Sequence, residues 1–436
     1  MKSFRLKYRY IIVFVIFIIL ISNYSLAFSL TKQKKDTDLQ LEFSFNNPFS
    51  YTKKIKDQTF TFIDIKDCIS SAEIGEPILP FYPAKILVPS GYKIKNIKIL
   101  NSEFEKLSSN LNTPIVPQQE IFPLSLSKKT NSLSIKNSIY QSSEPVFKSS
   151  FTIGYTGYSR GYRICTVNLY PLNYYPNTGE LLFTNKIKIK IEFEKENNIQ
   201  NKFIRNNKND ERFIRNLVEN PETIDSYKIN QNTQILDANN YVNRLCNSND
   251  TYEYVIITNN SLKNAQGYSH DLFDLKSHRE NYSGLNSTIV TVEDIDSCNY
   301  YWNDSNVFND SQAHIREFCK DAYLNWDTEY IALFGDWDSD NSHQIVPYRS
   351  FKDVYETFPV KTMASDMYYS HLDTDWCYDE AEGIWGGGKD GTNDLLGELF
   401  VGRIACSNAG ELSNSVYKII NYDTNLTYQD EWLRSV

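Results

Sequence analysis

Short runs of alternating apolar and polar residues characterise the chain from about residue 41 to residue 195. Alternation with a period of two places one face of a strand in a core and the other in water, as in antiparallel sheets. Asn and Gly tolerate left-handed backbone, so PNTG at 176–179 fits a hairpin turn. We therefore predict an all-β sandwich. The predicted strands are 59–65, 84–88, 94–100, 162–169 and 186–193.

The next stretch, residues 197–250, is rich in Asn, Lys, Asp and Arg and has few apolar positions. A segment of that composition buries too little apolar surface to offset the entropy lost on ordering. We interpret it as a polar linker. It is either the place where a processing protease cuts or simply a flexible spacer.

After residue 250 continuous apolar strands alternate with helices. YVIIT at 254–258 and YIALF at 330–334 are apolar throughout, as strands buried on both faces are. Further strands are predicted at 287–292 and 399–401. A helix over 312–326 has one apolar face and begins after an N-cap, either Asp310 or Ser311. This half is predicted to be α/β, with a parallel sheet and right-handed crossovers.

The amino terminus has a basic segment followed by an apolar run. Four basic side chains lie between residues 2 and 9, the run covers 11–21, and small residues follow near Ala27. This pattern is typical of a secretory signal, and we predict cleavage near Ala27. The alternative is an uncleaved membrane anchor, if the apolar run extends towards Phe28. The protein is expected to be secreted or on the extracellular surface, and to contact a membrane only if the signal is retained.

Charge and cysteine content narrow the function classes. The net charge of -9 and the pI of about 5.3 leave no basic face to neutralise phosphates, so nucleic acid is not an expected partner. Seven cysteines without close CxxC pairs do not indicate a zinc site. Their odd number leaves at least one thiol unpaired within the chain.

Acidic residues are the first candidates for chemistry. Ligands of parallel sheets collect beyond the carboxyl ends of the strands, where Asp336 follows YIALF. A second acidic cluster surrounds the Gly-rich stretch before residue 399, and carboxylate oxygens suit Ca²⁺. Its spacing is not that of an EF-hand, so both a solvated acidic loop and a metal site stay open. The cluster comprises Asp373, Asp375, Asp379, Asp390, Asp394 and Glu398.

Histidines and cysteines are the second candidates. His371 and Cys377 are close in sequence, but that does not establish the contact between thiolate and imidazole that a catalytic pair needs. Cys319 lies on an apolar helix face and is expected in the core. No Ser nucleophile elbow, phosphate-binding Gly loop or HExxH occurs in the sequence. Three further histidines are expected to be solvated on polar helical faces: His270, His278 and His314.

Several segments resemble the gingipain-like cysteine peptidases. YIALFGD, SDMYY at 365–369, GELFVGRIACS at 397–407 and a helix ending KIINYD before EWL follow the order of the first subdomain of the family's catalytic domain. IGEPILPFYPAKILVPSGYKI at 74–94 and RGYRI with LYPLNYYPNTGEL are similar to the family's prodomains. The resemblance implies four parts: a signal peptide at 1–27, a β-rich gingipain-type prodomain at 28–196, the linker at 197–250, and the first part of a caspase-like catalytic domain at 251–436.

The resemblance further implies a secreted cysteine endopeptidase precursor that hydrolyses protein or peptide substrates and whose prodomain packs on the catalytic domain. The family's catalytic residues occur in His-Gly and Ala-Cys motifs downstream of the segment that matches EWL at 431–433. We therefore expect no catalytic residue in this chain, and Cys406 is not taken as the nucleophile. A rival interpretation is a noncatalytic secreted binding protein whose β-domain occupies the cleft of a related peptidase.

The family also implies a structural Ca²⁺ ion. By resemblance, the side chains of Asp336, Asp394 and Glu398 supply carboxylates, and Leu372 and Leu396 supply main-chain oxygens. An insertion between Leu372 and Asp394 departs from the family's pattern at the carbonyl positions.

Overall fold

The computed structural model describes residues 38–108, 110–120, 133–196, 203–205, 207–233, 244–247, 249–302, 309–337, 344–352, 362–373, 376, 378, 385–386 and 396–424. The predicted signal at 1–27 lies outside these residues. No helix within the described ranges is long and apolar enough to cross a membrane.

The strands follow the chain in this order: β1 Asp38–Ser44, β2 Phe49–Ile55, β3 Gln58–Asp64, β4 Ile69–Ser71, β5 Leu79–Leu87, β6 Tyr92–Asn101, β7 Glu105–Ser108, β8 Phe151–Ser159, β9 Tyr162–Leu169, β10 Leu172–Tyr175, β11 Glu180–Phe183, β12 Lys186–Lys195, β13 Tyr254–Thr258, β14 Ser287–Thr291, β15 Tyr330–Phe334, β16 Arg349–Lys352, β17 Thr362–Ser365 and β18 Phe400–Ile404. The α-helices are α1 Asn137–Tyr140, α2 Lys208–Leu217, α3 Asn260–Lys263, α4 Leu272–His278, α5 Val292–Ser297, α6 Ser311–Asn325, α7 Met367–Ser370 and α8 Ala409–Thr424. Other helical turns are Pro221–Thr233 and Asn299–Tyr301, both 3-10, and Arg279–Ser283, a π-helix.

The chain forms two compact units. The first contains Met1–Phe81, Tyr92–Ser150 and Tyr170–Glu196, and the second contains Tyr82–Gly91, Phe151–Leu169 and Asn197–Val436.

Antiparallel sheets build the first unit, as the alternating pattern predicts. Strand β12 lies between β1 and β6, and β11 lies between β10 and β7. Along β12 the side chains of Ile187, Ile189 and Ile191 are fully buried, while the intervening lysines lie outside the core. The predicted hairpin turn joins β10 to β11, with Gly179 at a φ of +69°. The β-rich fold of this half is confirmed.

A four-stranded parallel sheet forms the centre of the second unit. Its order is β14-β13-β15-β18, and β13 and β15 have four fully or almost fully buried residues each, as their continuous apolar sequences predict. Helix α6 begins where expected: the Asp310 side chain, and not that of Ser311, accepts a hydrogen bond from Ala313 N at 2.9 Å. The α/β prediction is confirmed.

The same unit includes the hairpin of β8 and β9. Ser159 pairs with Tyr162, so Arg160 and Gly161 form a two-residue turn. Both have positive φ, +53° and +79°, as the central residues of a type I′ turn do.

The stretch interpreted as a polar linker differs from that expectation over residues 207–233. Helix α2 begins at an N-cap, because Asn207 Oδ1 accepts a hydrogen bond from Asp210 N at 2.7 Å. Three of its apolar side chains, Ile214 and the later Ile224 and Tyr227, are buried in one cluster with residues of β5 and β9. Composition counts apolar residues, but their arrangement on one face decides whether a segment folds.

Candidate functional site at the two ends of the parallel sheet

The carboxyl end of the sheet brings together the loops after β15 and β18. Asp336 N donates to Cys406 O at 3.1 Å, which continues the strand pairing by one step. The Asp336 carboxylate accepts hydrogen bonds from Trp337 N at 2.8 Å and from the Ser407 hydroxyl at 3.3 Å. Asp336 therefore ties two loops together at the end where parallel sheets place their chemistry.

The Cys406 thiol at this end is not prepared for nucleophilic attack. Its residue is 1% exposed, and burial, with smaller contributions from Glu411 and Asp336, raises the pKa of the thiol to about 12. A nucleophilic cysteine needs a lowered pKa, because the thiolate is the attacking species. Burial likewise raises the pKa of Cys319 to about 12, and Cys319 is fully buried in the core as predicted.

His371 is buried, and its ring contacts residues that are close to it in sequence. Its Nδ1 lies 2.5 Å from Ser370 Oγ and 3.0 Å from Met367 O, and its ring meets the Trp376 ring edge to face. Cys377 lies outside the described residues, so the possible pair of His371 with Cys377 stays a hypothesis.

Two of the three histidines expected to be solvated have polar tertiary partners instead, and the ring of the third, His270, stacks on that of Tyr417 at 5.5 Å. His314 is 7% exposed, with Nδ1 2.8 Å from Asp296 Oδ1 and Nε2 2.8 Å from Asn309 Oδ1. His278 Nε2 lies 2.9 Å from Asp423 Oδ2. The expectation was wrong for these two because polar partners on other elements cover the helical faces that the sequence shows as polar.

At the amino end of the sheet, Glu398 is a buried carboxylate just before β18. It is 1% exposed. Its Oε1 accepts a hydrogen bond from Arg160 N at 3.2 Å, and its Oε2 accepts one from Leu372 N at 2.8 Å. One side chain thus holds both the β8–β9 turn and the segment after α7.

The Arg160 side chain occupies a slot beside this carboxylate. Its Nη1 lies 2.5 Å from Asp210 Oδ1 and 3.9 Å from Glu329 Oε1. Its guanidinium lies 4.4 Å from the ring centre of Phe213 and 5.5 Å from that of Phe400. Such cation–π contacts strengthen when water is excluded, and only 3% of this side chain is exposed.

A second arginine completes the cluster. Arg205 Nε and Nη2 donate to the two oxygens of Asp210 at 2.9 and 2.7 Å, a bidentate pair. Its Nη1 donates to Thr328 O at 2.7 Å and Tyr323 O at 3.3 Å. Burial alone would lower the pKa of Arg205, but the bonds to Asp210 raise it overall, so this group stays charged. We call Arg160, Arg205, Asp210, Glu329 and Glu398 the amino-end cluster.

Among the described residues, two of the predicted Ca²⁺ ligands, Asp336 and Glu398, lie at opposite ends of the parallel sheet. Strands β15 and β18 are parallel with Tyr330 opposite Phe400, so Asp336 follows one end of this strand pair and Glu398 precedes the other. A five-residue strand spans roughly 15 Å, whereas ligands of one Ca²⁺ lie within about 2.6 Å of it.

Of the remaining three positions, Leu372 and Leu396 fall within the described residues. Leu372 O accepts a hydrogen bond from the Arg316 guanidinium at 3.0 Å, and a cation there would repel Ca²⁺. Leu396 packs beside the apolar cluster of Ile214, and Asp394 lies outside the described residues. Among the residues described, no three His, Cys, Asp or Glu side chains are placed to hold a metal ion.

Comparison with known families supplies the identity. The Peptidase family C25 profile matches residues 247–436, and the Propeptide_C25 profile matches residues 29–216. The chain belongs to the gingipain-like cysteine peptidases of family C25. It is a cysteine peptidase precursor, with a C25 propeptide preceding a C25 peptidase region. No curated protein matches the chain.

Solved structures of related chains are similar over part of this C25 chain. A gingipain K structure from Porphyromonas gingivalis, concerned with its zymogenic latency, is 21% identical with a TM-score of 0.34, over 37% of this chain and 90% of that one. A complex of the pro- and mature domains of RgpB from the same organism is 16% identical with a TM-score of 0.37, over 44% of this chain and 95% of that one. Dimeric latent PorU is 12% identical with a TM-score of 0.29, over 65% of this chain and 22% of that one.

The two C25 matches divide the amino-end cluster between them. Arg160, Arg205 and Asp210 fall within the propeptide match, and Glu329 and Glu398 fall within the peptidase match. No single short sequence motif contains this cluster, since its members come from four separate segments. The sequence showed Glu398 as a candidate, but for a metal.

Proposed function

We propose that this C25 precursor matures into a secreted endopeptidase that cleaves protein or peptide substrates, and that its propeptide keeps it latent until the chain is cut between propeptide and peptidase. The observation that carries the proposal is the burial of a propeptide arginine against the peptidase sheet. Arg160 contacts the Phe400 ring, and its backbone N–H is bonded to Glu398. A propeptide attached in this way is expected to stay bound to the folded peptidase.

Folded residues before and after the boundary between propeptide and peptidase limit where the chain can be cut without breaking contacts. Asn220 Nδ2 donates to Leu87 O at 2.8 Å and Tyr227 OH donates to Val88 O at 2.6 Å, so the helical turns up to Thr233 belong with β5. Further along, Arg244 Nη1 lies 3.0 Å from Asp321 Oδ1 of helix α6. A cut between these two anchored stretches would leave each with its own partner.

The test compares the full-length gene product before and after a single cut between propeptide and peptidase. Hydrolysis of a mixed peptide library is measured with and without a thiol alkylator. We expect the cut form to be more active, and the alkylator to abolish the gain. Equal activity of the two forms would contradict the proposed latency.

The rival function is a noncatalytic protein that binds a related peptidase. The observation in its favour is that burial raises the pKa of two thiols within the peptidase match, those of Cys319 and Cys406, to about 12, and also raises the pKa of Cys246, which lies just before that match. None of these three is a ready nucleophile. Inhibition of an active C25 peptidase by the 436-residue chain, together with no alkylator-sensitive cleavage by the chain itself, would favour this rival.

A further inference from the structure

We propose that Arg244 anchors the amino-terminal end of the peptidase, and that the chain is cut before it by a protease that does not act after Lys or Arg. This inference rests on the proposed function and names the class of protease that separates propeptide from peptidase. Arg244 lies just before the peptidase match, which begins at residue 247. A basic residue at such a boundary is the first cleavage point to consider, and its surroundings exclude it.

The Arg244 side chain is buried against a charged partner. Its Nη1 donates to Asp321 Oδ1 at 3.0 Å, and the exposed fractions of the two side chains are 6% and 3%. Its guanidinium lies 5.0 Å from the ring centre of Tyr300. Asn325 Nδ2 donates to the same Asp321 oxygen at 2.7 Å, so the carboxylate is fixed from within helix α6. A protease directed to arginine must take up the guanidinium in its own pocket, and here that group is already bound.

The backbone that follows Arg244 is fixed by the same carboxylate. Leu245 N donates to Tyr301 OH at 3.2 Å, and this hydroxyl donates to Asp321 Oδ2 at 2.8 Å. Tyr301 is fully buried. One oxygen of Asp321 thus holds the arginine side chain, and the other holds the next peptide group through the Tyr301 hydroxyl. The nitrogen of the bond between Arg244 and Leu245 is therefore engaged as well.

The next two residues are part of the peptidase core. Cys246 is 1% exposed and belongs to the core cluster that contains Trp326. Trp326 Nε1 donates to Asn247 O at 3.2 Å. A protease acts on accessible backbone, so a bond inside a folded segment is cut only from an opened state. The bond after Arg244 is therefore protected in the folded peptidase.

The sequence leaves one other basic residue to consider. Between the end of the propeptide match at residue 216 and the start of the peptidase match at residue 247, Lys and Arg occur at positions 228 and 244 alone. Lys228 lies in the 3-10 turn Pro221–Thr233 and follows Tyr227, which is 4% exposed and donates to Val88 O at 2.6 Å. A cut after Lys228 would require this turn to open.

The residue before the cut bond is therefore one of those at 229–243, all of which are uncharged or acidic. Hydrolysis there adds one water molecule across one peptide bond. The hydroxyl group goes to the new carboxyl group of the propeptide part, and the hydrogen goes to the new amino group of the peptidase part. If the peptidase matures itself, its own specificity is for such residues and not for Lys or Arg.

The first measurement is the amino-terminal sequence of the peptidase part isolated from its source after natural maturation. We expect the new terminus to lie after Ile229 and no later than Arg244, following an uncharged or acidic residue. A terminus at Leu245 or at Ile229 would show cleavage after Arg244 or Lys228, and either would overturn the proposal.

The second measurement exposes the uncut chain to trypsin, which cuts after Lys and Arg, and follows cleavage after Arg244 by mass spectrometry. Tyr301→Phe removes the hydroxyl that joins Leu245 N to Asp321. Cleavage after Arg244 should be at least about 10-fold faster in this variant, the effect of losing a hydrogen bond to a charged group on local opening. Tyr268→Phe is the matched control, because it removes the same group from a tyrosine that is 56% exposed, and it should keep the parent rate.

The parent covers the case in which Tyr301→Phe does not fold. Cleavage after Arg244 should be at least about 100-fold slower in the folded chain than in a synthetic peptide of residues 239–249, because it requires local opening. Equal rates in the folded chain and the peptide, or equal rates in the parent and Tyr301→Phe, would overturn the anchor. Neither measurement uses activity, so a precursor that gains no activity on cutting would refute the proposed function while leaving the anchor standing.

Discussion

Substitution of Gly161 by alanine would force the hairpin turn and the segment before α2 apart. A Cβ at Gly161 would lie 2.6 Å from Ile204 N and 2.8 Å from Phe203 C. Ordinary contact begins near 3.4 Å, so the neighbouring backbone must move by roughly 0.8 Å, and overpacking of this kind costs about 1–3 kcal/mol. The φ of +79° adds about 1–2 kcal/mol for any residue with a side chain.

Gly284 offers a control that separates the two costs. Its φ is +68°, close to that of Gly161, but a Cβ there would meet nothing within 4 Å. Gly284→Ala should therefore lose only the backbone contribution of about 1–2 kcal/mol, and Gly161→Ala about 2–5 kcal/mol in total.

Urea unfolding followed by tryptophan fluorescence measures both variants, provided that the m-value stays at its parent value. The difference between the variants is the quantity of interest, and we expect about 1–3 kcal/mol. If Gly161→Ala and Gly284→Ala lose the same free energy of unfolding, the close approach of the turn to residues 203 and 204 is refuted.

Three further predictions concern the cap of α6, the thiol at the sheet end and calcium. Asp310→Ala should lower the free energy of unfolding by about 1–2 kcal/mol, because it removes the N-cap and the ion pair with Arg349. Asp310→Asn keeps a capping side chain and should lower the free energy of unfolding by less. Equal losses in the two variants would speak against capping. The pKa of Cys406, 9.0 for a free thiol and about 12 when folded, makes the folded state hold its proton more tightly. The free energy of unfolding therefore falls as pH rises above 9. In Cys406→Ala, urea titrations at several pH values should show this fall reduced by up to about 1.4 kcal/mol per pH unit. An unchanged dependence on pH would count against the prediction. Calcium binding stays a prediction. If Asp394 and Glu398 hold the ion without Asp336, millimolar Ca²⁺ should raise the Tm of the parent and of Asp336→Asn but not of Asp394→Asn, and the reverse pattern would contradict the separation of Asp336 from Glu398.

Local patterns predicted the elements of this fold well. Strands β9, β13 and β15 begin and end at the residues that alternation or continuous apolarity indicates, and Asp310 caps α6 as one of two expected residues. These features depend on neighbours along the chain, so the sequence shows them directly. The gingipain-like resemblance was likewise read from contiguous segments and is confirmed by both C25 matches.

Long-range polar contacts could not be predicted in the same way. The partners of Glu398 are 238 and 26 residues away along the chain, and Arg160 and Asp210 are 50 residues apart. An acidic residue beside a Gly-rich stretch looks the same in sequence whether it will bind a cation or accept backbone N–H groups. What distinguishes the two is the set of donors that folding brings to it, and those donors are on other elements.

The parallel sheet separates two tasks that one surface could not perform equally well. Chemistry in such folds requires open polar groups at the carboxyl ends of the strands, where Asp336 and Ser407 lie. Retention of a propeptide requires the opposite, a site from which water is excluded so that charged pairs are strong. The amino-end cluster has that character, since Asp210 and the arginines that bind it are almost wholly buried. Substitutions there should therefore change how long the propeptide stays bound without altering the groups at the carboxyl end.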